Sequence, residues 1–357
     1  MLRPETGRMM AVELTSLADV LALRFDDIID VRAPAEFADD HLPGAISLPV
    51  LDDAERARVG TIYKQVSPFD ARKLGAALVA KNAAGHLMGP LANKPGGWQP
   101  LVYCWRGGQR SGSFATILSQ IGWRVQLISG GYKSWRRLVV AALQDHPFPC
   151  PVTVLDGNTG SAKTDLLAHL PAMGVQVIDL EGLACHRGSL FGATGPQPSQ
   201  RSFEGQLALA IARLDPARPV VIEAESSKIG SLSLPATLWR AMAQAPRIAI
   251  TAPLEARARY LTEAYADIAA DTARLTAVLN QLKPSHPANL IAEWQSLADS
   301  GQFTALAADL MQHHYDPRYA KHRSRSTQSV TELQTASLDP ESLPALARRI
   351  ADAVHQP

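Results

Sequence analysis

The sequence predicts an α/β protein of two domains, each built on a parallel sheet, with a helical extension towards the C-terminal end. Three observations predict it. Buried strands alternate with amphipathic helices through the first third of the chain, a proline-rich break, "QDHPFPCP" (144–151), ends that pattern, and a fresh strand, glycine-rich loop and helix begin directly after it. At 357 residues the chain is long enough for two ordinary domains. The break divides it into 12–143 and 150–357, the latter with a helical and basic part from about 254 onward.

In the first domain "DIIDVR" (27–32), "PLVYCW" (100–105) and "RVQLISGG" (124–131) read as buried strands. The stretch "AERARVGTIYKQVSPFDARKLGAALVAKNAAG" has helical spacing with a break near Pro68. "SGSFATILSQIG" is a helix ended by Gly122, and "KSWRRLVVAALQ" is another. In the second domain "VTVLD", "VQVIDL" (175–180), "PVVIEAE" (219–225) and "RIAIT" (247–251) are strands. Long helical patterns run from Leu254 to Tyr315. A basic segment, "RYAKHRSRS" (318–326), a polar linker and a terminal amphipathic helix, "PESLPALARRIADAVHQ", complete the chain.

Composition narrows the function classes. An apolar content of 46% with 19% charged residues is that of a soluble globular protein. The net charge of +1 exerts no global pull on nucleic acid or acidic membranes, so any polyanion must be held by local patches. The N-terminal stretch lacks the apolar core of a signal peptide, and no run approaches the roughly 18 apolar residues of a membrane span. Three cysteines with no C-x-x-C pair argue against a disulfide framework or a zinc knuckle. We expect a cytoplasmic protein, without membrane attachment or a structural metal.

The stretch "VYCWRGGQRSG" (102–112) delivers Cys104 from a strand into a glycine-rich turn that opens a helix. Backbone N–H groups in such a turn point inward and make a nest for an anion, and the first turn of the helix adds more. Arg106 and Arg110 can add positive charge, and a thiol so placed should ionise below its usual pKa of about 8.5. A lone cysteine is more often a core residue. The coincidence of strand, glycines, arginines and helix favours a nucleophile.

"GNTGSAKT" (157–164) lies between the strand "VTVLD" and a helix, the context that gives meaning to G-x-x-x-x-G-K-[ST]. Gly157, Asn158, Thr159, Gly160, Ser161 and Ala162 would cradle a phosphate or diphosphate with backbone amides. Lys163 would supply charge, and Thr164 could reach a phosphate oxygen or a metal ion such as magnesium. Alanine at 162, where the pattern has glycine, resists positive φ and makes ATP hydrolysis less secure than phosphate binding. Glu223, Glu225, Ser226 and Lys228 fall at the end of an apolar strand, where open α/β sheets bind ligands. A glutamate there can hold a metal or orient a hydroxyl, or simply end a strand in solvent. The stretches "LEGLACHRGSLFG" (180–192) and "QPSQRSFEGQL" (197–207) carry too many glycines and polar groups to be filler.

"DVRAPAEFADDHLPGAISLP" (30–49), with Cys104 and "SGGYKSW", resembles a rhodanese domain. Five residues separate Cys104 from Arg110, the spacing of phosphatases of this fold, although Tyr103 stands where they have histidine. Joined to the P-loop domain, the ordered set "DVRAPAEF", "YCWRGGQRS", "SGGYKSW", "DGNTGSAKT", "LEGLACHRGSLFG", "QPSQRSFE", "EAESSKIG" and "HYDPRY" resembles the tRNA 2-selenouridine synthase family. The resemblance implies a rhodanese-like domain followed by a P-loop NTPase-like domain, and replacement of sulfur by selenium in the wobble 2-thiouridine of tRNA. It implies selenophosphate as donor, made by a partner enzyme, and an S-geranylated intermediate formed from geranyl diphosphate, with no tightly bound cofactor. Cys104 would then pass through an S-selanylcysteine, and 157–164 would bind the diphosphate. Lys133, Arg136, Arg137, Arg318, Lys321, Arg323 and Arg325 are candidate tRNA phosphate contacts, and Trp105, Trp135 and Tyr315 candidate stacking partners. The rival readings are a sulfurtransferase or phosphatase of rhodanese fold joined to a P-loop kinase-like module.

Overall fold

The computed structural model describes residues 11–192, 195–323 and 328–355. It divides into two compact units, residues 1–146 with 198–212, and residues 147–197 with 213–357. The chain break expected at 144–151 falls at this division. The segment 198–212, expected in the second domain, packs instead with the first unit. Its helix, Gln200–Ala212, buries Phe203, Leu207 and Ala208.

The first unit is a parallel five-stranded sheet in the order β1-β5-β4-β2-β3. Its strands are β1 (Ala11–Val12), β2 (Asp27–Asp30), β3 (Ala45–Ser47), β4 (Pro100–Tyr103) and β5 (Gln126–Ile128). All four residues of β4 are buried, as expected of a central parallel strand covered on both faces. Ile29, Val102, Phe114, Leu118 and Trp98 belong to one core cluster, which also includes Cys104. The pairing of Asp30 with Tyr103 brings the C-terminal ends of β2 and β4 side by side. The helical stretch broken near Pro68 is two helices, Asp53–Gln65 and Pro68–Met88. Ser67 caps the second, its hydroxyl accepting the Asp70 N–H at 3.2 Å, with Pro68 at the first helical position.

The second unit is a parallel sheet in the order β12-β11-β6-β8-β7. It comprises β6 (Val152–Gly157), β7 (Gln176–Ile178), β8 (Val220–Glu223), β11 (Arg247–Thr251) and β12 (Val330–Gln334). A two-stranded ribbon, β9 (Lys228–Ile229) and β10 (Leu232–Ser233), follows β8. Leu155 pairs with Glu223 and Gly157 with Ile250, so the loop after β6 opens at the edge where β8 and β11 end. β12 lies within the segment expected to be a polar linker. It pairs with β11 over five residues although none of its side chains is buried. The terminal helix Leu343–His355 buries Leu346, Ala347 and Ile350 in the core cluster that contains Leu166 and Leu167. A separate cluster, centred on Trp294, Leu279 and Ile291, joins the helices Thr272–Asn280, Ala288–Asp299 and Phe303–Leu310. The last of these continues as a π-helical turn, Met311–Tyr315. Among the described residues no helix is long and apolar enough to cross a membrane.

Candidate functional sites: a cysteine loop and a phosphate loop

β4 ends one residue before Cys104, and the helix Gln109–Ile121 begins five residues after it. The loop between is pinned from behind by the segment after β5. The Tyr132 N–H donates to the Cys104 carbonyl at 2.9 Å and the Lys133 N–H to that of Trp105 at 3.1 Å. Gly131 has φ +59°, and a Cβ there would fall on the Cys104 carbonyl oxygen and 2.6 Å from the Gly107 nitrogen. The second glycine of "SGGYKSW" therefore permits backbone-to-backbone packing that any side chain would prevent.

Cys104 is almost fully buried, so its sulfur forms the floor of the loop rather than its rim. Sγ accepts the Gly108 N–H at 3.3 Å and the Ser111 hydroxyl at 3.2 Å. Arg106 is exposed. Arg110 turns its Nη1 to Glu36, 2.7 Å from Oε2, with Arg56 on the same oxygen at 3.2 Å. Burial works against the charge on Glu36, but Arg110, the Ala33 N–H and Arg56 outweigh it and hold the carboxyl below its usual range. Asp30 and Arg32 of the Asp-Val-Arg stretch form a buried ion pair at 2.6 Å. The guanidinium also donates to the Asp40 carbonyl and lies over the Tyr132 ring, 4.0 Å from its centroid. Those residues brace the loop's surroundings. Ser111 and Glu36 are the neighbours of this loop that sequence reasoning did not single out, although both lie inside quoted motifs, "VYCWRGGQRSG" and "DVRAPAEF".

Of the expected tRNA contacts in this unit, Lys133 and Arg137 are exposed and Arg136 is paired with Glu204. Trp135 is fully buried and is a core residue rather than a stacking platform. Trp105 is half-buried and stacks on Tyr132, the ring centroids 5.1 Å apart.

In the second unit the loop after β6 takes up positive φ at Ala162 despite the resistance expected of its Cβ. Ala162 sits at φ +56°, ψ +28°, left-handed backbone that costs a non-glycine residue on the order of 1 kcal/mol. Lys163 Nζ donates to the Gly157 carbonyl at 3.0 Å, which lays the ammonium across the mouth of the loop. Ser161 is buried, its hydroxyl without a partner among the described residues. Asp156, at the end of β6, accepts the Gly157 N–H at 2.7 Å and Arg247 Nη1 at 2.9 Å. Behind the loop Arg257 donates to the Thr159 carbonyl at 3.2 Å and pairs with Asp316 at 2.7 Å. The "HYDPRY" stretch thus supports the loop: Asp316 through Arg257, and Tyr319 as a wall of its cavity.

That cavity is lined by residues 159–165 together with Glu181, Arg187, Gly188, Ser189, Glu225, Tyr260, Tyr265 and Tyr319. Thr164 Oγ1 donates to Glu181 Oε2 at 2.9 Å. Burial, and then the neighbouring Glu181 carboxylate, push the Glu225 carboxyl up to about 8. Glu223 lies beneath, its Oε1 accepting the Glu181 N–H at 2.7 Å, and burial raises it well above the usual carboxylate range. Of the four residues expected at the end of β8, only Glu225 therefore lines the loop's cavity. Ser226 and Lys228 hydrogen-bond to each other in a local turn, the Lys228 N–H donating to Ser226 Oγ at 3.1 Å. Arg318 and Lys321 are exposed on the helix Asp316–Arg323. The side chain of Arg323 and the whole of Arg325 lie outside the described residues.

A second cavity abuts the first and differs from it in chemistry. It is walled by Phe191, Ile268, Leu275, Phe303, Leu306, Leu310, Met311 and Tyr315, with Thr159, Ser189, Leu261 and Tyr265 shared between the two. Its walls are almost wholly apolar, and part of it is open to solvent. Tyr315 is a wall of this chamber rather than a surface aromatic. The chamber was not foreseen. Its lining comes from four separate stretches of chain, and Tyr265 sits inside a run that reads only as helix.

A cysteine on a rhodanese-type loop and a P-loop-like turn beside an apolar chamber define a two-domain α/β protein with a candidate site in each domain. Residues 13–138 match the rhodanese-like domain model, and residues 150–284 match the model described as the tRNA 2-selenouridine synthase AAA domain. The chain belongs to the tRNA 2-selenouridine synthase family. It is 40% identical to the tRNA 2-selenouridine synthase of Aeromonas salmonicida over 71% of this chain and 69% of that one. With the synthase of Shewanella denitrificans it shares 33% identity over 87% of this chain and 92% of its relative.

Proposed function

We propose that this tRNA 2-selenouridine synthase works in two half-reactions, one in each unit. In the second unit the sulfur of a wobble 2-thiouridine attacks C1 of geranyl diphosphate. The C1–O bond breaks, the diphosphate leaves onto residues 157–164 and the N3 proton is lost. Alkylation turns a poor leaving group into a neutral thiol-type one. In the first unit selenophosphate is held at Cys104, and its selenium attacks C2 as geranyl thiol departs. Water then takes the phosphoryl group as the Se–P bond breaks, and phosphate leaves.

The observation that carries this reading is the apolar chamber sharing four wall residues with the phosphate-loop cavity. A diphosphate head and a ten-carbon apolar tail need that pairing, whereas a nucleotide kinase would need a polar base and ribose site in its place. Lys163 and the backbone amides of the loop suit the diphosphate, and Thr164 with Glu181 suits a magnesium ion accompanying it. The Ser111 and Gly108 donors suit a sulfur that bears negative charge. Exposed Lys133, Arg137 and Arg318 are available for tRNA phosphates, selenophosphate comes from the enzyme that makes it, and the reaction belongs in the cytoplasm.

Nucleoside mass spectrometry of tRNA from a deletion strain complemented with single variants tests the assignment. Cys104→Ser should abolish selenouridine and leave geranylated thiouridine, while Lys163→Ala should lower both. Selenation surviving in Cys104→Ser would overturn the cysteine's role, and undiminished geranylation in Lys163→Ala that of the loop.

A further inference from the structure

Thr159, Ser189, Leu261 and Tyr265 line both cavities of the second unit. A ligand with its diphosphate on the loop and its tail in the chamber must place its head-to-tail bond at this junction. Of the four residues, Tyr265 is the one with an electron-rich ring. It stands at the bend between the helices Leu254–Ala264 and Ala266–Ala269, at φ −116°, ψ +27°, and its N–H still donates to the Leu261 carbonyl at 2.9 Å. Its hydroxyl is 3.2 Å from Ser189 Oγ, which fixes the ring's orientation. The Arg187 guanidinium carbon lies 4.8 Å from the ring centroid, so the ring already faces one cation that borders the phosphate cavity. Burial raises the phenol above its ordinary pKa and keeps it neutral.

An allylic diphosphate loses its leaving group with positive charge developing over C1 to C3. An aromatic face within about 6 Å stabilises such charge. We infer that Tyr265 is a catalytic residue of the alkylation step, its ring facing the allylic carbons as the C1–O bond breaks. The inference rests on the reading of this unit as a prenyl-transfer site. The thiouridine sulfur supplies the electron pair of the new S–C1 bond, and the electron pair of the broken C1–O bond leaves with the diphosphate. The N3 proton passes to water. The ring forms no bond and exchanges no atom.

The test uses the full chain with 2-thiouridine tRNA and geranyl diphosphate, and a series of phenylalanines of increasing ring fluorination at position 265. Fluorination drains the ring face of negative charge with little change of shape. Tyr265→Phe sets the reference single-turnover geranylation rate, and successive fluorines should lower it stepwise to about a tenth of that reference. The Kd for geranyl diphosphate should stay constant across the series. A flat series, or one in which only Kd moves, overturns the catalytic role of Tyr265 and leaves the prenyl-transfer reading standing. A wild-type chain that forms no geranylated tRNA overturns both.

Discussion

The donors that reach Cys104 Sγ are the Gly108 N–H and the Ser111 hydroxyl, while Arg110, six positions along the chain, commits its guanidinium to Glu36. The sulfur is therefore supported chiefly by neutral dipoles held in place by the loop, and Arg110 acts through the wall it forms with Glu36 and Arg56. Ser111 is fully buried, so losing its hydroxyl leaves the sulfur no replacement from solvent. Ser111→Ala should slow selenium transfer from selenophosphate by about tenfold, the worth of one charge-assisted hydrogen bond. Geranyl transfer should be unaffected, because none of its proposed residues lies in this unit. Parallel assays of selenouridine and geranylthiouridine formation check this. An equal fall in both would mean that the substitution damages the protein as a whole.

At the level of elements, β6 and its loop show how local sequence and distant partners divide the work. The strand and the loop could be read from "VTVLDGNTGSAKT" because they depend on neighbours within a few residues. The same is true of "VYCWRGGQRSG". The pairings of Glu36 with Arg110, 74 residues apart, and of Arg257 with Asp316, 59 apart, depend on the fold and have no such local mark. β12 was missed for a related reason. None of its side chains is buried, so hydrophobic alternation is absent and its strand character comes from pairing with β11. Asp156 offers a measurable case of distant partnership. Burial opposes its ionisation, yet the Gly157 N–H and Arg247 hold its carboxyl below the usual range. A depressed folded-state pKa gives stability that is present above the unfolded value of about 3.9 and is lost as pH falls through the folded value. Asp156→Asn should therefore cost about 3 kcal/mol at pH 7, where it leaves Arg247 unpaired. The gap should close as the pH falls through the lower folded-state value. Urea unfolding at both pH extremes tests this, and a gap unchanged at low pH would dismiss the ion pair as its source.

For the whole molecule, chain order and packing order differ. The helix Gln200–Ala212 lies in sequence between β7 and β8, two neighbouring strands of the second unit's sheet, yet packs in the first unit. There Glu204 pairs with Arg136, and Ser199 and Arg201 both bond to Asp39. Gly205 faces Trp135 so closely that a Cβ would lie 3.1 Å from the indole. The first unit is thus completed by residues that cannot be supplied until the chain beyond residue 146 has been made. A larger side chain at 205 must displace Trp135, a fully buried core residue, and overpacking of this kind costs about 1–3 kcal/mol. Gly205→Leu should accordingly lower the denaturation midpoint of the first unit, read through the altered fluorescence of Trp135, and slow selenium transfer through Cys104 in proportion to the fraction unfolded. Isolated residues 1–146 should show the same exposed Trp135 signal without any substitution. If Gly205→Leu melts like the wild type and Trp135 keeps its buried emission in the isolated fragment, the helix is not part of the first unit's core.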